Sequence, residues 1–303
     1  MFLLNLILSS VLSFANCGSS TFNSWGLQGH PTGAESFSTS RNWVDPQIYQ
    51  HSDQIFGKMH QLIQQAEHDI FIQTWTFHPG TKPTLYLADA LQKLHQRRSR
   101  EGKTKPVNVW LMLNIIALQN EQNERRKLER FLEQKGLYVD GLRFHIGYFN
   151  AKLLGANHAK TVSVYNVVAL VTGANFSPSN NGKGFFDLAF VVKGDVVDNI
   201  DYDFVQTWLS FVDTEEVPKL YKRQKTGRGL GCMPILFTRS KPFGDFTQRL
   251  QSSSWNDAAI AAVRTAKKSV DIITPNLNVR RMMNAIGQAI LRGVRVRLIL
   301  SKG

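Results

Sequence analysis

At 303 residues with 43% hydrophobic content, the chain can bury a substantial core, and its length suggests roughly two domains; intrinsic disorder is excluded. Thirty-six Lys and Arg against 23 Asp and Glu give a formal charge of +13, which suits polyanionic partners: nucleic acid, anionic lipid headgroups or phosphorylated small molecules. The only cysteines, Cys17 and Cys232, make neither a metal cluster nor a dense disulfide framework, although an oxidising compartment would allow them to pair.

The chain opens on an apolar run from Phe2 to Ala15, shorter than the roughly 20 residues of a membrane-spanning helix. Residues 1–17 therefore read as a signal peptide or lipoprotein leader, with Ser13-Phe14-Ala15 as a small-x-small cleavage site, and imply export: periplasmic, secreted or anchored at a membrane. Residues 18–44, rich in Ser, Gly and Thr, read as an exposed linker.

Regular elements begin near Asp53, where Ile55, Met59, Leu62, Ile63 and Ala66 recur at helical spacing up to Glu67. A β-branched and aromatic run over 69–77 predicts a strand ending in a "HPGTKP" loop that holds His78. Leu87, Ala90, Leu91 and Leu94 mark a helix over 85–98, stopped by a basic last turn and Gly102. The near-continuous apolar run 107–116 predicts a strand buried on both faces. A helix over 120–135 and a strand over 142–149 complete a β-α-β-α order, which argues for an α/β layered architecture with a largely parallel or mixed sheet. Strands follow at 161–165, 167–172 and 187–194, then a helix over 196–211 with Ile200, Phe204 and Trp208 on one stripe. Residues 213–254 read as a basic linker.

Residues 262–277 can be laid over 63–77 at a constant offset of 200, matching Ala266 with Ala66, Val270 with Ile70, Ile272 with Ile72 and Thr274 with Thr74. The fold therefore begins a second time over 255–303, and the chain reaches Gly303 before a second copy of any later motif.

The chemistry concentrates in "NHAKTVSVYNVVALVTGAN", residues 157–175. Period-2 alternation predicts that His158 and Lys160 project from one face of a strand, at the open end of a face continued by Val162 and Val164. Asn175 closes the next strand after Thr172-Gly173-Ala174, where small side chains would admit a ligand to the backbone, and Asp187 opens the strand after that. The set supplies a nucleophile or acid, a fixed cation, an amide donor for phosphoryl oxygens, and a carboxylate able to orient an imidazole. His78, in its loop, is a candidate border of the same pocket.

These residues resemble the phospholipase D superfamily, whose motif is His-x-Lys-x4-Asp followed by a small-residue turn and Asn; His158, Lys160, Gly173 and Asn175 stand at that spacing. Asp187 matches the acidic position that hydrogen-bonds a catalytic histidine in the family. The resemblance covers residues 45–212 as one domain and 255–303 as a partial second repeat without its motif, and it implies a phospholipase D-like α-β-α sandwich with a mixed sheet. It also implies phosphodiester substitution through a phosphohistidine, with no cofactor and no metal. His158 would attack, and Lys160, Asn175, Gly173 and His78 would hold the substrate. Two departures stand out: Tyr165 occupies the motif's aspartate position, and a second His-x-Lys is missing. Phospholipid is the expected substrate at a membrane surface, with nucleic acid or a catalytically silent phosphate-binding protein as alternatives. A homodimer would complete a two-histidine site.

Overall fold

The structure is a computed structural model, described over residues 37–39, 41–115, 120–150, 156–181, 187–218, 231–238, 254–274, 277 and 279–300. The expected leader, residues 1–17, lies outside these. The chain forms two compact units, one built mainly from residues 39–235 and the other mainly from 245–303.

In chain order the strands and helices are β1 (Phe37–Thr39), β2 (Asn42–Val44), β3 (Tyr49–Gln50), α1 (His51–Ile63), β4 (Asp69–Thr74), α2 (Lys82–Arg100), β5 (Val107–Asn114), α3 (Glu121–Gln134), β6 (Leu142–Phe149), β7 (Thr161–Val164), β8 (Val168–Thr172), β9 (Leu188–Gly194), α4 (Asp195–Phe211), β10 (Ile235–Phe237), α5 (Ser254–Thr265), β11 (Ser269–Thr274), α6 (Arg280–Leu291) and β12 (Arg295–Leu300). The first unit holds an eight-stranded mixed sheet in the order β2-β9-β8-β7-β4-β5-β6, with β3 also on β9. Strands β4, β5 and β6 run parallel, whereas β7 pairs antiparallel with β4 and continues through the hairpin β7-β8 to β9.

Two layers of helix cover this sheet. Ile55, Met59 and Ile63 of α1 and Leu87 and Leu91 of α2 are buried with Ile70, Ile72, Val109 and Leu111 in one core. On the opposite face Phe204 and Trp208 of α4 pack with Phe71, Trp110 and Tyr165. Alternation along β4 explains the division, since Ile70 and Ile72 point one way and Phe71 the other. Truncating Phe204 or Trp208 to alanine is expected to cost about 3–5 kcal/mol.

Two stretches read from sequence as linkers contain paired structure. Asn42 of β2 is fully buried, its Nδ2 donating to the Met233 carbonyl at 2.9 Å and its Oδ1 accepting from Val196 N at 2.8 Å. Polar composition hid this because the contacts span 191 and 154 residues. Cys232, in the second stretch, is disulfide-bonded.

The second unit is α5-β11-α6-β12 around Ile260, Val263, Ala285, Ile286 and Ala289. Its strands pair in parallel, as β4 and β5 do, and β11 begins and ends 200 residues after β4. Among the described residues no helix is long and apolar enough to cross a membrane.

Candidate active site

The C-terminal ends of β4, β5 and β8 meet the start of β7 at one edge of the sheet, with Gln73 beside Thr161 and Thr161 beside Val171. Ends of this kind are where open α/β sheets place their ligands.

His158 and Lys160 do not lie on a strand, contrary to the alternation read from sequence, because β7 begins only at Thr161. The Asn157 side chain bends the chain first: its Oδ1 accepts from Ala159 N at 3.1 Å, an Asx-type turn that holds His158 at its centre. The two groups still come together. Lys160 Nζ donates to His158 Nδ1 at 3.1 Å and to the His158 carbonyl at 2.6 Å. Lys160 is buried and His158 exposed. Trp75, just past β4, lies against the imidazole with ring centroids 4.6 Å apart, and Lys160 Nζ is 5.7 Å from the same indole.

Burial pushes the Lys160 ammonium down to about 8, against the attraction of Asp187. Desolvation, and then the Lys160 charge, hold His158 below the ordinary histidine value, so the imidazole is neutral near pH 7. An ammonium only donates, so Nδ1 is the acceptor and the ring proton sits on Nε2.

Asn175 is fixed from behind. Its Oδ1 accepts from Thr74 Oγ1 at 3.3 Å and Thr76 N at 3.4 Å, which turns the amide NH2 away from those partners and leaves it as the donor available to a ligand. Gly173 serves a different purpose from the one expected. A Cβ there would meet Asp187 Oδ1 at 2.5 Å, so its missing side chain makes room for a carboxylate, not for a ligand. Asp187 Oδ2 accepts from Asn180 Nδ2 at 2.9 Å; the carboxylate orients no imidazole and instead acts on Lys160 through charge. His78 is exposed, and its backbone N donates to the Phe176 carbonyl at 2.7 Å, tying its loop to the segment after Asn175. Its imidazole makes no hydrogen bond to the other site residues.

Tyr165, at the motif's aspartate position, is buried edge-on against Phe71 at 5.6 Å. The carboxylate that braces the β7-β8 hairpin comes instead from α4: Asp201 accepts from Ser163 Oγ at 2.5 Å and from Asn166 N at 3.1 Å. Asn166 takes the left-handed conformation, φ 59°, that this turn requires.

Sequence reasoning missed Trp75, Asn157, Gln73 and Asp201. Trp75 carried a usable signal, an aromatic residue just beyond the end of a parallel strand. Asn157 carried a weaker one, an asparagine able to form a side-chain turn just ahead of the strand, whereas Gln73 and Asp201 act through partners distant in sequence and gave none.

The fold and this arrangement define a class: the chain has a phospholipase D-like α-β-α fold with a mixed sheet. Among solved structures it is similar to a phosphatidylserine synthase of Haemophilus influenzae, at 14% identity and a TM-score of 0.54, over 91% of this chain and 65% of that one. It also matches NucT from Helicobacter pylori at 13% identity and TM-score 0.39, over 59% of this chain and 99% of that one. A third match is Nuc of Salmonella typhimurium, a phospholipase D family member, at 13% identity and TM-score 0.36, over 58% and 97%. No family model and no curated protein matches the chain.

Proposed function

We propose that this protein is a phosphodiesterase of phospholipase D type that hydrolyses or transfers phosphatidyl groups through a phosphohistidine. The observation that carries the reading is the pairing of a neutral His158 with the Lys160 ammonium at 3.1 Å, beside an Asn175 amide held with its NH2 available. In the proposed reaction a ring nitrogen of His158 forms a bond to phosphorus as the bond to the leaving alkoxide breaks. A histidine of a second copy protonates that alkoxide. Water or an alcohol, giving its proton back to that second histidine, then displaces His158 from phosphorus and regenerates the free imidazole. Lys160 and Asn175 hold the phosphoryl oxygens as charge builds on them. The second histidine is assigned to the His158 of another copy, since a symmetric pair can bring two such imidazoles to one phosphodiester. The expected export leader favours a lipid interface, where a net charge of +13 would draw the protein to anionic headgroups.

The test is headgroup release from phosphatidylglycerol vesicles, run beside cleavage of single-stranded DNA. His158→Ala is expected to lower lipid turnover by on the order of a thousandfold or more. Turnover indifferent to that change would sink the mechanism. Cleavage of DNA without lipid turnover would reassign the substrate to nucleic acid.

A further inference from the structure

His158 presents an exposed ring from an irregular segment, yet attack on phosphorus needs that ring placed to a fraction of an ångström. The residues on either side of it are tied down by a buried set of neutral amides. Asn157 N donates to Asn114 Oδ1 at 3.0 Å, and Asn157 Nδ2 donates to Gln73 Oε1 at 3.0 Å. Gln73 Nε2 in turn donates to Thr161 Oγ1 at 2.9 Å, while Asn157 Oδ1 holds Ala159 N. The ends of β4 and β5 thus grip the chain at 157 and 161, and the gripped Asn157 holds 159, around the histidine and the lysine.

Asn157 is 7% exposed and Gln73 2%. Burying two amides is costly unless they are bonded, and apolar side chains could fill the same space without that requirement. The neighbouring inward residue on the same face of β4, Phe71, is apolar. What the amides add is direction: each bond fixes the backbone on one side of His158 relative to the rigid sheet.

We propose that Asn157, clamped by Gln73, is the positioning residue for His158, keeping the imidazole on Trp75 and within reach of Lys160. This rests on the reading of His158 as the attacking group.

The test uses the full chain, bis(p-nitrophenyl) phosphate as the phosphodiester probe, and NMR titration of His158. Asn157→Ala and Gln73→Leu are expected to lower kcat roughly 10–100-fold with KM unchanged. In both variants the His158 titration should move up towards ordinary histidine, because the ring leaves the Lys160 charge and the desolvated place beside Trp75. Asn157→Asp should keep kcat close to wild type. Its carboxylate still accepts from Ala159 N, and Gln73 can turn its amide over to donate to that carboxylate while Oε1 accepts the Thr161 hydroxyl proton.

Wild-type kcat and an unmoved titration in Asn157→Ala would overturn the proposal, as would Asn157→Asp being as damaged as Asn157→Ala. If Asn157→Ala does not fold, Gln73→Leu, which leaves the Ala159 bond in place, gives the same two readouts. If the wild type does not turn over the probe, the phosphodiesterase reading fails on its own, and the titration still decides whether Asn157 sets the place of His158.

Discussion

The proton on His158 is in the wrong place for attack through Nε2. With Nδ1 accepting from Lys160, the neutral ring carries its hydrogen on Nε2 and has no lone pair there. A bound phosphoryl group competes for the same ammonium, and once Lys160 turns to it Nδ1 is free to take the proton. Nitrogen NMR of the ligand-free protein is therefore expected to show the Nε2-H tautomer, with inorganic phosphate shifting it towards Nδ1-H. A free protein already in the Nδ1-H form would rule this out. The lysine makes its own prediction. With its pKa near 8, Lys160 is charged below that pH and loses its charge, and its hold on phosphate, above it. The kcat/KM profile should fall on its alkaline side near pH 8. Lys160→Arg, charged throughout, should lose that alkaline limb even where its fork geometry lowers the maximum. A limb that stays at pH 8 in the arginine variant would assign it to another group.

At the scale of elements, the strands with a strong local pattern were legible from sequence and the site's supports were not. The pattern over 142–149 predicts a strand, and β6 spans Leu142–Phe149. The offset of 200 between β4 and β11 survives to the residue, β4 spanning Asp69–Thr74 and β11 Ser269–Thr274. The strand expected to hold His158 starts three residues later than the histidine, since a side-chain turn at Asn157 competes with the ladder and alternation cannot register it. Tyr165 in the motif's aspartate position offers no carboxylate, and no local pattern shows that Asp201, 35 residues from Asn166, supplies one. That brace has a cost that depends on pH. Burial raises Asp201 from 3.8 to about 7, so the folded chain holds a proton that the unfolded chain has released. Stability from this group is full below about pH 4, falls as pH rises towards 7, and is flat beyond. Asp201→Asn can keep both bonds, its oxygen facing Asn166 N and its NH2 facing Ser163 Oγ, and removes the titration. Thermal melts from pH 4.5 to 8 should show the wild type losing more stability than the variant, and parallel losses in the two proteins would contradict this assignment.

At the scale of the whole molecule, the repeat reproduces the opening of a scaffold. The helix-strand-helix-strand order of α1, β4, α2 and β5 recurs as α5, β11, α6 and β12, the stretch that in the first copy precedes His158. On the proposed mechanism the His158 of a second copy is the acid, which makes activity a property of two copies. Symmetric pairs use the same surface on both partners, so each His158 would serve as attacker in one half of the cycle or as acid to its neighbour's. Mixing wild type with His158→Ala at constant total protein, after co-refolding to scramble the pairs, separates the cases. If both imidazoles are required, turnover should follow the square of the wild-type fraction, about a quarter of full activity at equal amounts. A straight line, with about half the activity remaining, would mean that each copy works alone and that its acid is a group other than a second His158.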